Sequence, residues 1–249
     1  MGLFDLFKSK GDKKQGDKPK SNPADKWAER AGDKRAQNYD RQEAIQALAE
    51  MKTPEAAAAL LKRFTFHMDP SITDQEEKEI AFHGVLAAGM DAVEPVRAFA
   101  AKADSLAWPM TILKELLPAE KYIEELILWL GRWDTDSAKF IDPKIQLLVA
   151  LEEHRHPEIR EAVEPFLTDV NETARYHAVV TTLAQDDPAA LEPLLVTLAD
   201  EESFRVKNKI CDGIALRGWL VPEEERERVR KTLPPDYTID ATGRMKSRA

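Results

Sequence analysis

From about residue 38 to residue 232, apolar positions recur at the three-to-four-residue spacing of amphipathic α-helices. Prolines, glycines and capping residues divide this pattern into helices that follow one another in pairs. Thr53-Pro54, for example, indicates a helix start, and Gly89 separates two helices. The six predicted pairs are 40–51 with 54–65, 74–88 with 91–103, 106–116 with 119–131, 142–154 with 157–167, 171–184 with 188–198, and 202–217 with 222–232.

The two ends of the chain lack this pattern. Residues 8–35 contain Gly-Asp-Lys three times and bury too little apolar surface to offset the entropy of ordering, so we expect a disordered linker, helical at most around Trp27. Pro234-Pro235 ends the last helix. The alternating residues 237–245 predict either a small hairpin or a frayed end. The predicted domains are therefore 1–35, 36–235 and 236–249.

A four-residue phrase recurs within the helical region. Ala92-Val93-Glu94-Pro95 and Ala162-Val163-Glu164-Pro165 begin 70 residues apart, and Ala190-Leu191-Glu192-Pro193 begins 28 residues after the second copy. Both spacings fit a repeated helix-pair unit of roughly 28–35 residues. Stacked units of this kind bury one continuous core and leave a long surface for binding.

Two predicted helix starts carry a family resemblance. Asp169 precedes a helix that contains Arg175, and Asp200 precedes a helix that contains Arg205, each followed by an apolar stripe. Over roughly 36–235 the chain resembles the HEAT repeat family, most closely its short bacterial repeats. The resemblance implies an all-α fold, an α-solenoid of about six antiparallel helix pairs with a disordered N-terminal leader. It also implies that these four polar residues form a ladder between neighbouring repeats.

Charge is unevenly distributed along the chain. Of the net charge of −9, residues 1–35 contribute +4 and the remainder −13. The acidic body argues against broad nucleic-acid binding, which depends on neutralising phosphates. The start of the chain lacks the features of a secretory signal, so we expect a cytoplasmic protein, or a peripheral one at the inner face of the membrane.

The first residues have a chemistry of their own. On a helix, Leu3, Phe4, Leu6 and Phe7 share one face, and six lysines follow before residue 21. This combination is typical of an interfacial membrane anchor or of a short helix that docks in a partner's groove. Packing on the protein's own helices, or no role at all, are the alternatives.

Candidate partner-binding residues are few. The third unit holds Trp108, Trp129 and Trp133, beside Arg132, and tryptophan and arginine dominate binding hot spots. An irregular core is the favoured explanation of the tryptophans and a ligand surface the alternative, with Arg132 and Trp133, at the helix end, expected to be the exposed members. A small basic patch lies near the C-terminal units. The predicted partner-binding residues are Arg132, Trp133, Lys207 and Lys209.

Motifs for catalysis are not found in the sequence. It contains no phosphate loop, dinucleotide fingerprint, nucleophile elbow or zinc-ligand pattern. His154 and His156 offer too few donors for a metal, and Cys211 lies on an apolar stripe that predicts a buried thiol. We therefore predict no catalytic residue, no metal and no cofactor, and a scaffold or adaptor that binds a protein partner.

Two other functions follow from the family resemblance alone. Relatives of bilin lyases handle chromophores, and here Cys211 or the histidines would carry that role. Some HEAT-like proteins are DNA glycosylases, which use an aromatic and carboxylate pocket. In this chain such a pocket would be built from Trp108, Trp129, Trp133 and Asp134.

Overall fold

The computed structural model describes residues 22–137 and 139–248. These residues form α-helices joined by short turns, together with one two-stranded hairpin, which confirms the predicted all-α class. The helices are α1 Asp25–Ala31, α2 Asn38–Met51, α3 Pro54–Leu61, α4 Ser71–Ala87, α5 Val93–Ala100, α6 Ala107–Leu116, α7 Ala119–Leu130, α8 Asp142–Leu151, α9 Ile159–Val163, α10 Glu172–Ala184, α11 Leu191–Asp200, α12 Phe204–Arg217 and α13 Arg226–Thr232. The strands are β1 Tyr237–Ile239 and β2 Met245–Ser247.

Each of the six predicted pairs appears, as α2 with α3 through α12 with α13, and we call each pair a unit. The repeated Glu-Pro phrase explains one difference in helix length. In α5 and α11 the proline is the third helical residue, where its missing N–H has no intrahelical partner to lose. Pro165 comes later in its helix, so α-helical bonding ends at Val163 and a 3₁₀ turn, Glu164–Thr168, completes the second helix of the fourth unit.

Side-chain caps fix several helix starts. The hydroxyl of Thr53 accepts a hydrogen bond from the Ala56 N–H, and the side chain of Asn171 accepts from the N–H groups of Thr173 and Ala174. These bonds satisfy N–H groups that have no partner within the helix. Thr53 thereby defines the start of the second helix of the first unit, and Asn171 defines the start of the fifth unit.

Packing runs between units that are neighbours in sequence. First helices contact one another as α2 with α4, α4 with α6, α8 with α10 and α10 with α12. Second helices do so as α3 with α5, α7 with α9 and α11 with α13, and the 3₁₀ turn after α9 contacts α11. Leu48, Leu113, Leu147 and Leu194 are fully buried in a core that continues through the units.

Helix α1 lies in a segment for which the sequence predicts a disordered linker. It packs on α2 and α3, with Ala24 and Ala31 buried and Trp27 half-buried against the core. The predicted helix around Trp27 is therefore present, but the helical body begins at Asp25, before the predicted boundary at residue 36. The predicted docking residues Leu3, Phe4, Leu6 and Phe7 lie outside the described residues.

The C-terminal tail forms a small hairpin, one of the two structures predicted for it from the sequence. Strands β1 and β2 pair antiparallel, with Tyr237 opposite Ser247 and Ile239 opposite Met245. The Tyr237 hydroxyl donates a hydrogen bond of 2.5 Å to Asp212 on α12. The hairpin therefore closes the C-terminal end of the last unit.

Candidate functional site

The main candidate site is a groove between two second helices. One wall is α9 with its 3₁₀ turn, and the other is α11. The second and third copies of the repeated phrase place Glu164-Pro165 on the first wall and Glu192-Pro193 on the second. The groove has a volume of about 710 Å³ and is largely open to solvent, and this openness suits an extended peptide segment better than a deeply enclosed small ligand.

A smaller depression of about 320 Å³ continues this groove towards the next unit. The two share Leu167, Thr168, Val196 and Thr197. We refer to both together as the acidic groove. Its charged lining residues are Arg160, Glu161, Glu164, Asp169, Arg175, Glu192, Asp200, Glu201 and Glu202.

Seven of these charged residues are acidic and two are basic, so the lining carries a net charge of −5. Some of this charge is internally compensated, as in the pair of Arg175 with Glu201. Glu192, Asp200 and Glu202 form no ion pair with any residue that the structure describes. Their carboxylates therefore leave the acidic groove with a negative potential that attracts cationic groups.

Arg160 holds the walls of the groove together. Its Nε donates to Asp187 Oδ2 at 2.9 Å, and its Nη1 donates to Glu164 Oε2, also at 2.9 Å. Asp187 in turn accepts from the Ala189 N–H, at the turn that leads into α11. The arginine thus links α9 to the turn that leads into α11.

The acidic groove also has apolar surface. Val196 is 43% exposed, whereas Leu194, Leu195 and Leu198 on the same helix are buried. Pro165, Pro193 and Leu167 line the groove beside it. The acidic groove therefore combines an apolar strip, formed by Val196 and the two prolines, with a carboxylate rim.

Ion pairs link neighbouring units at three of the four positions predicted for a polar ladder, Asp169, Arg175 and Arg205. Lys144 and Asp169 form a buried pair at 2.5 Å, and Arg205 lies 3.1 Å from Glu172. Arg175 pairs with Glu201 at 2.7 Å, whereas Asp200, the residue expected in the ladder, is exposed and has no ion pair among the described residues. The reason is that α11 continues through Asp200, and the chain becomes extended only at Glu201.

Glu201 is fixed by several bonds at this position. Burial alone would raise the pKa of its carboxyl group, but hydrogen bonds from Arg175 and from the N–H groups of Ser203 and Glu202 lower that pKa overall. The carboxylate therefore stays ionised and joins the fifth unit to the sixth.

A second polar cluster lies inside the first two units. Five charged residues are buried between α2, the 3₁₀ turn Lys62–Thr65 after α3, and α4, and we call them the buried charge network. Glu77 accepts from Arg41 Nε at 2.9 Å and from Arg63 Nε at 2.6 Å. The members are Arg41, Arg63, Asp74, Glu77 and Lys78.

Asp74 completes this network. It accepts from Arg63 at 2.7 Å and from Lys78 at 2.6 Å. Burial raises the pKa of Asp74, but the hydrogen bonds from these two cations outweigh that effect and bring the pKa from 3.8 to about 2. No sequence motif signals this network; the only clue is that charged residues interrupt the apolar stripes of two helices.

The predicted partner-binding residues lie in two separate places. Arg132 is exposed and Trp133 half-buried directly after α7, in the third unit. Lys207 and Lys209 are both half-buried on α12, in the sixth unit, and the Lys207 ammonium lies 3.4 Å from the Thr232 carbonyl oxygen. None of these four residues is part of the lining of the acidic groove. The sequence did not reveal this groove because its acidic residues come from several helices.

Several residues on which the alternative functions depend are packed into the structure, whereas Asp134 and His67 are exposed. Trp129 is 2% exposed, and Trp108 stacks on Phe64 with ring centroids 4.6 Å apart. Cys211 is fully buried, and burial raises the pKa of its thiol to about 12. His154 packs edge-on against Tyr122, and burial together with Lys114 lowers its pKa.

Within 22–137 and 139–248, no group of three or more His, Cys, Asp or Glu side chains is arranged to hold a metal ion. None of the helices in these ranges has the length and apolar content needed to cross a bilayer. No protein-family model matches the chain, and no curated protein matches it.

Proposed function

We propose that this chain is a HEAT-like α-solenoid that serves as a non-catalytic interaction module, a scaffold or adaptor for a protein partner. The solenoid arrangement is supported by the contacts between successive first helices and between successive second helices. The ion pairs that join one unit to the next, such as Lys144 with Asp169 and Arg175 with Glu201, support it further. Such stacks present long surfaces for binding.

The partner segment that we propose is basic and partly apolar, and it occupies the acidic groove. The observation that carries this proposal is the juxtaposition of the exposed side chain of Val196 with Glu192, Asp200 and Glu202, which form no ion pair within residues 22–137 and 139–248. Lysine or arginine side chains of the partner would neutralise the carboxylates, and apolar side chains would cover the valine. A nucleic acid is disfavoured because its phosphates would be repelled at this surface.

The affinity of this interaction should depend on salt. Carboxylates at the rim of a groove act mainly on the rate of association, and salt screens them over a distance of about 8 Å at physiological ionic strength. The apolar strip and the fixed walls then govern how long the partner stays bound. A partner held in this way is released by charge reversal in the groove without any loss of the fold.

The test is affinity purification from the native cell with the full-length chain, followed by quantitative mass spectrometry. The variant Glu192→Lys/Asp200→Lys reverses two groove charges and breaks no ion pair among the described residues. Asp104→Lys/Glu115→Lys is the matched control, because it makes the same charge change at exposed positions of the third unit.

Proteins captured by the wild type and by the control, but at least tenfold reduced with the groove variant, support the proposal. Their bound segments, located by cross-linking, should be basic. Partners captured equally by all three chains would place recognition outside the acidic groove. Capture that depends instead on Arg132 and Trp133 would favour the surface after α7.

A further inference from the structure

A second groove, between α2 and α4, is suited to a ligand that this chain itself supplies. Its volume is about 730 Å³. Its walls are the exposed faces of two first helices, which is the opposite row from the acidic groove. The lining residues are Gln42, Gln46, Ala49, Glu50, Lys52, Glu76, Glu79, Ile80, His83, Gly84 and Ala87.

We propose that the N-terminal segment of the chain, residues 1–21, docks in this α2/α4 groove of its own molecule. In this arrangement the apolar residues Leu3, Phe4, Leu6 and Phe7 lie on the floor of the groove. The lysines that follow lie against the carboxylates of its walls. A membrane or a partner protein would bind through the same apolar residues, so neither can bind them while the segment is docked in its own groove.

The floor of the α2/α4 groove is open because small residues form it. A Cβ atom added at Gly84 would lie 2.7 Å from the Cβ of Ala49, so α2 and α4 touch at this point. No long side chain rises from the contact, and Ile80 and Ala87 extend the apolar floor along α4. The floor therefore offers apolar surface that a leucine or phenylalanine side chain can cover.

The charges of the segment and the groove are complementary. Glu50, Glu76 and Glu79 line the groove, Glu43 lies beside it, and Lys52 is the one lysine or arginine in the lining, so this surface carries −3. None of the four glutamates forms an ion pair with a residue that the structure describes. Residues 1–21 contain six lysines and three aspartates, a net charge of +3.

The length of the chain allows this contact. The described part begins at Asn22, directly before α1, and α1 packs on α2. Residues 8–21 span up to about 50 Å when extended, which is about five times the diameter of about 10 Å of α2, the helix on which α1 packs and which forms one wall of the groove. The acidic groove is several units further along, so the α2/α4 groove is the nearer acidic surface. Intramolecular attachment raises the effective concentration of the segment to roughly millimolar.

The test uses the full-length chain with a nitroxide label on Gly2→Cys. Cys211, the only native cysteine, is fully buried, so the reagent reacts at residue 2. Amide signals are compared between the paramagnetic and the reduced label by NMR. We expect at least a twofold loss of intensity for the amides that line the α2/α4 groove, and none for those of α12.

Two variants show whether the groove charges hold the segment. Glu76→Lys/Glu79→Lys should restore the lost intensity, and Asp104→Lys/Glu115→Lys should leave the loss unchanged. Signal loss centred on the acidic groove, or no localised loss, would overturn the proposal. A mixture of nitroxide-labelled chain and isotope-labelled chain detects contact with a second copy, and equal losses in that mixture would also overturn it.

Discussion

Glu77 provides the strongest stability prediction, because it is fully buried between two arginines. It accepts from Arg41 Nε at 2.9 Å, from Arg41 Nη2 at 3.0 Å and from Arg63 Nε at 2.6 Å. Glu77→Gln keeps the size of the side chain but removes its charge and turns one acceptor into a donor that faces a guanidinium. Two buried cations then lose their shared counter-charge. We expect the free energy of unfolding to fall by about 3–5 kcal/mol.

Thermal unfolding followed by far-UV circular dichroism measures this loss. For a chain of this size, 1 kcal/mol corresponds to roughly 2–4 °C in melting temperature, so the expected decrease is about 6–20 °C. Glu76→Gln is the matched control, since Glu76 is adjacent, exposed and outside the buried charge network; it should change stability by less than about 0.5 kcal/mol. A Glu77→Gln chain that melts within about 2 °C of the wild type would refute the reasoning.

Three further predictions concern other buried groups. Gly213→Ala should lower the free energy of unfolding in urea by about 1–3 kcal/mol, because the new methyl group overlaps Leu183 on α10, while Gly131→Ala, whose methyl group meets nothing closer than 3.6 Å, should have little effect. Asp74 has a pKa of about 2 in the folded chain, below the ordinary 3.8, so the stability that its ionised form adds is complete above pH 3.8 and is lost as the pH falls through about 2. The difference in unfolding free energy between the wild type and Asp74→Asn should therefore become smaller between pH 3.8 and pH 2. Cys211, with its pKa raised to about 12, should react with a thiol reagent at neutral pH only after unfolding, and fast labelling of the native chain would contradict its burial.

The helices of the six units were predictable because apolar spacing, prolines and caps all indicate the same boundaries. The helix around Trp27 was allowed by the sequence, but its packing on the body was not predicted, because Ala31 and the preceding Ala24 are small buried residues among charged residues that resemble a linker. The ladder position at Glu201 was assigned to its neighbour Asp200, since sequence spacing does not show where a helix ends to within one residue.

The candidate sites were harder to predict than the fold. The acidic groove combines carboxylates from α9, α11 and the turns around them, and only the packing of the units brings these together. The repeated Glu-Pro phrase was visible in the sequence. That two of its copies face each other across a groove is seen only from the contact between the 3₁₀ turn after α9 and α11. The buried charge network likewise depends on three helices meeting.

The most direct test of the interaction module is site-specific photo-cross-linking in the native cell. A photoreactive residue replaces Val196 in the acidic groove, and in a second chain it replaces Val149 on α8. The two valines are 43% and 40% exposed, so they differ in location rather than in accessibility. We predict that the residue at position 196 forms adducts with proteins and that the cross-linked segments are basic. The variant Glu192→Lys/Asp200→Lys should abolish these adducts. Equal adducts at both positions, or adducts at position 149 alone, would contradict binding in the acidic groove.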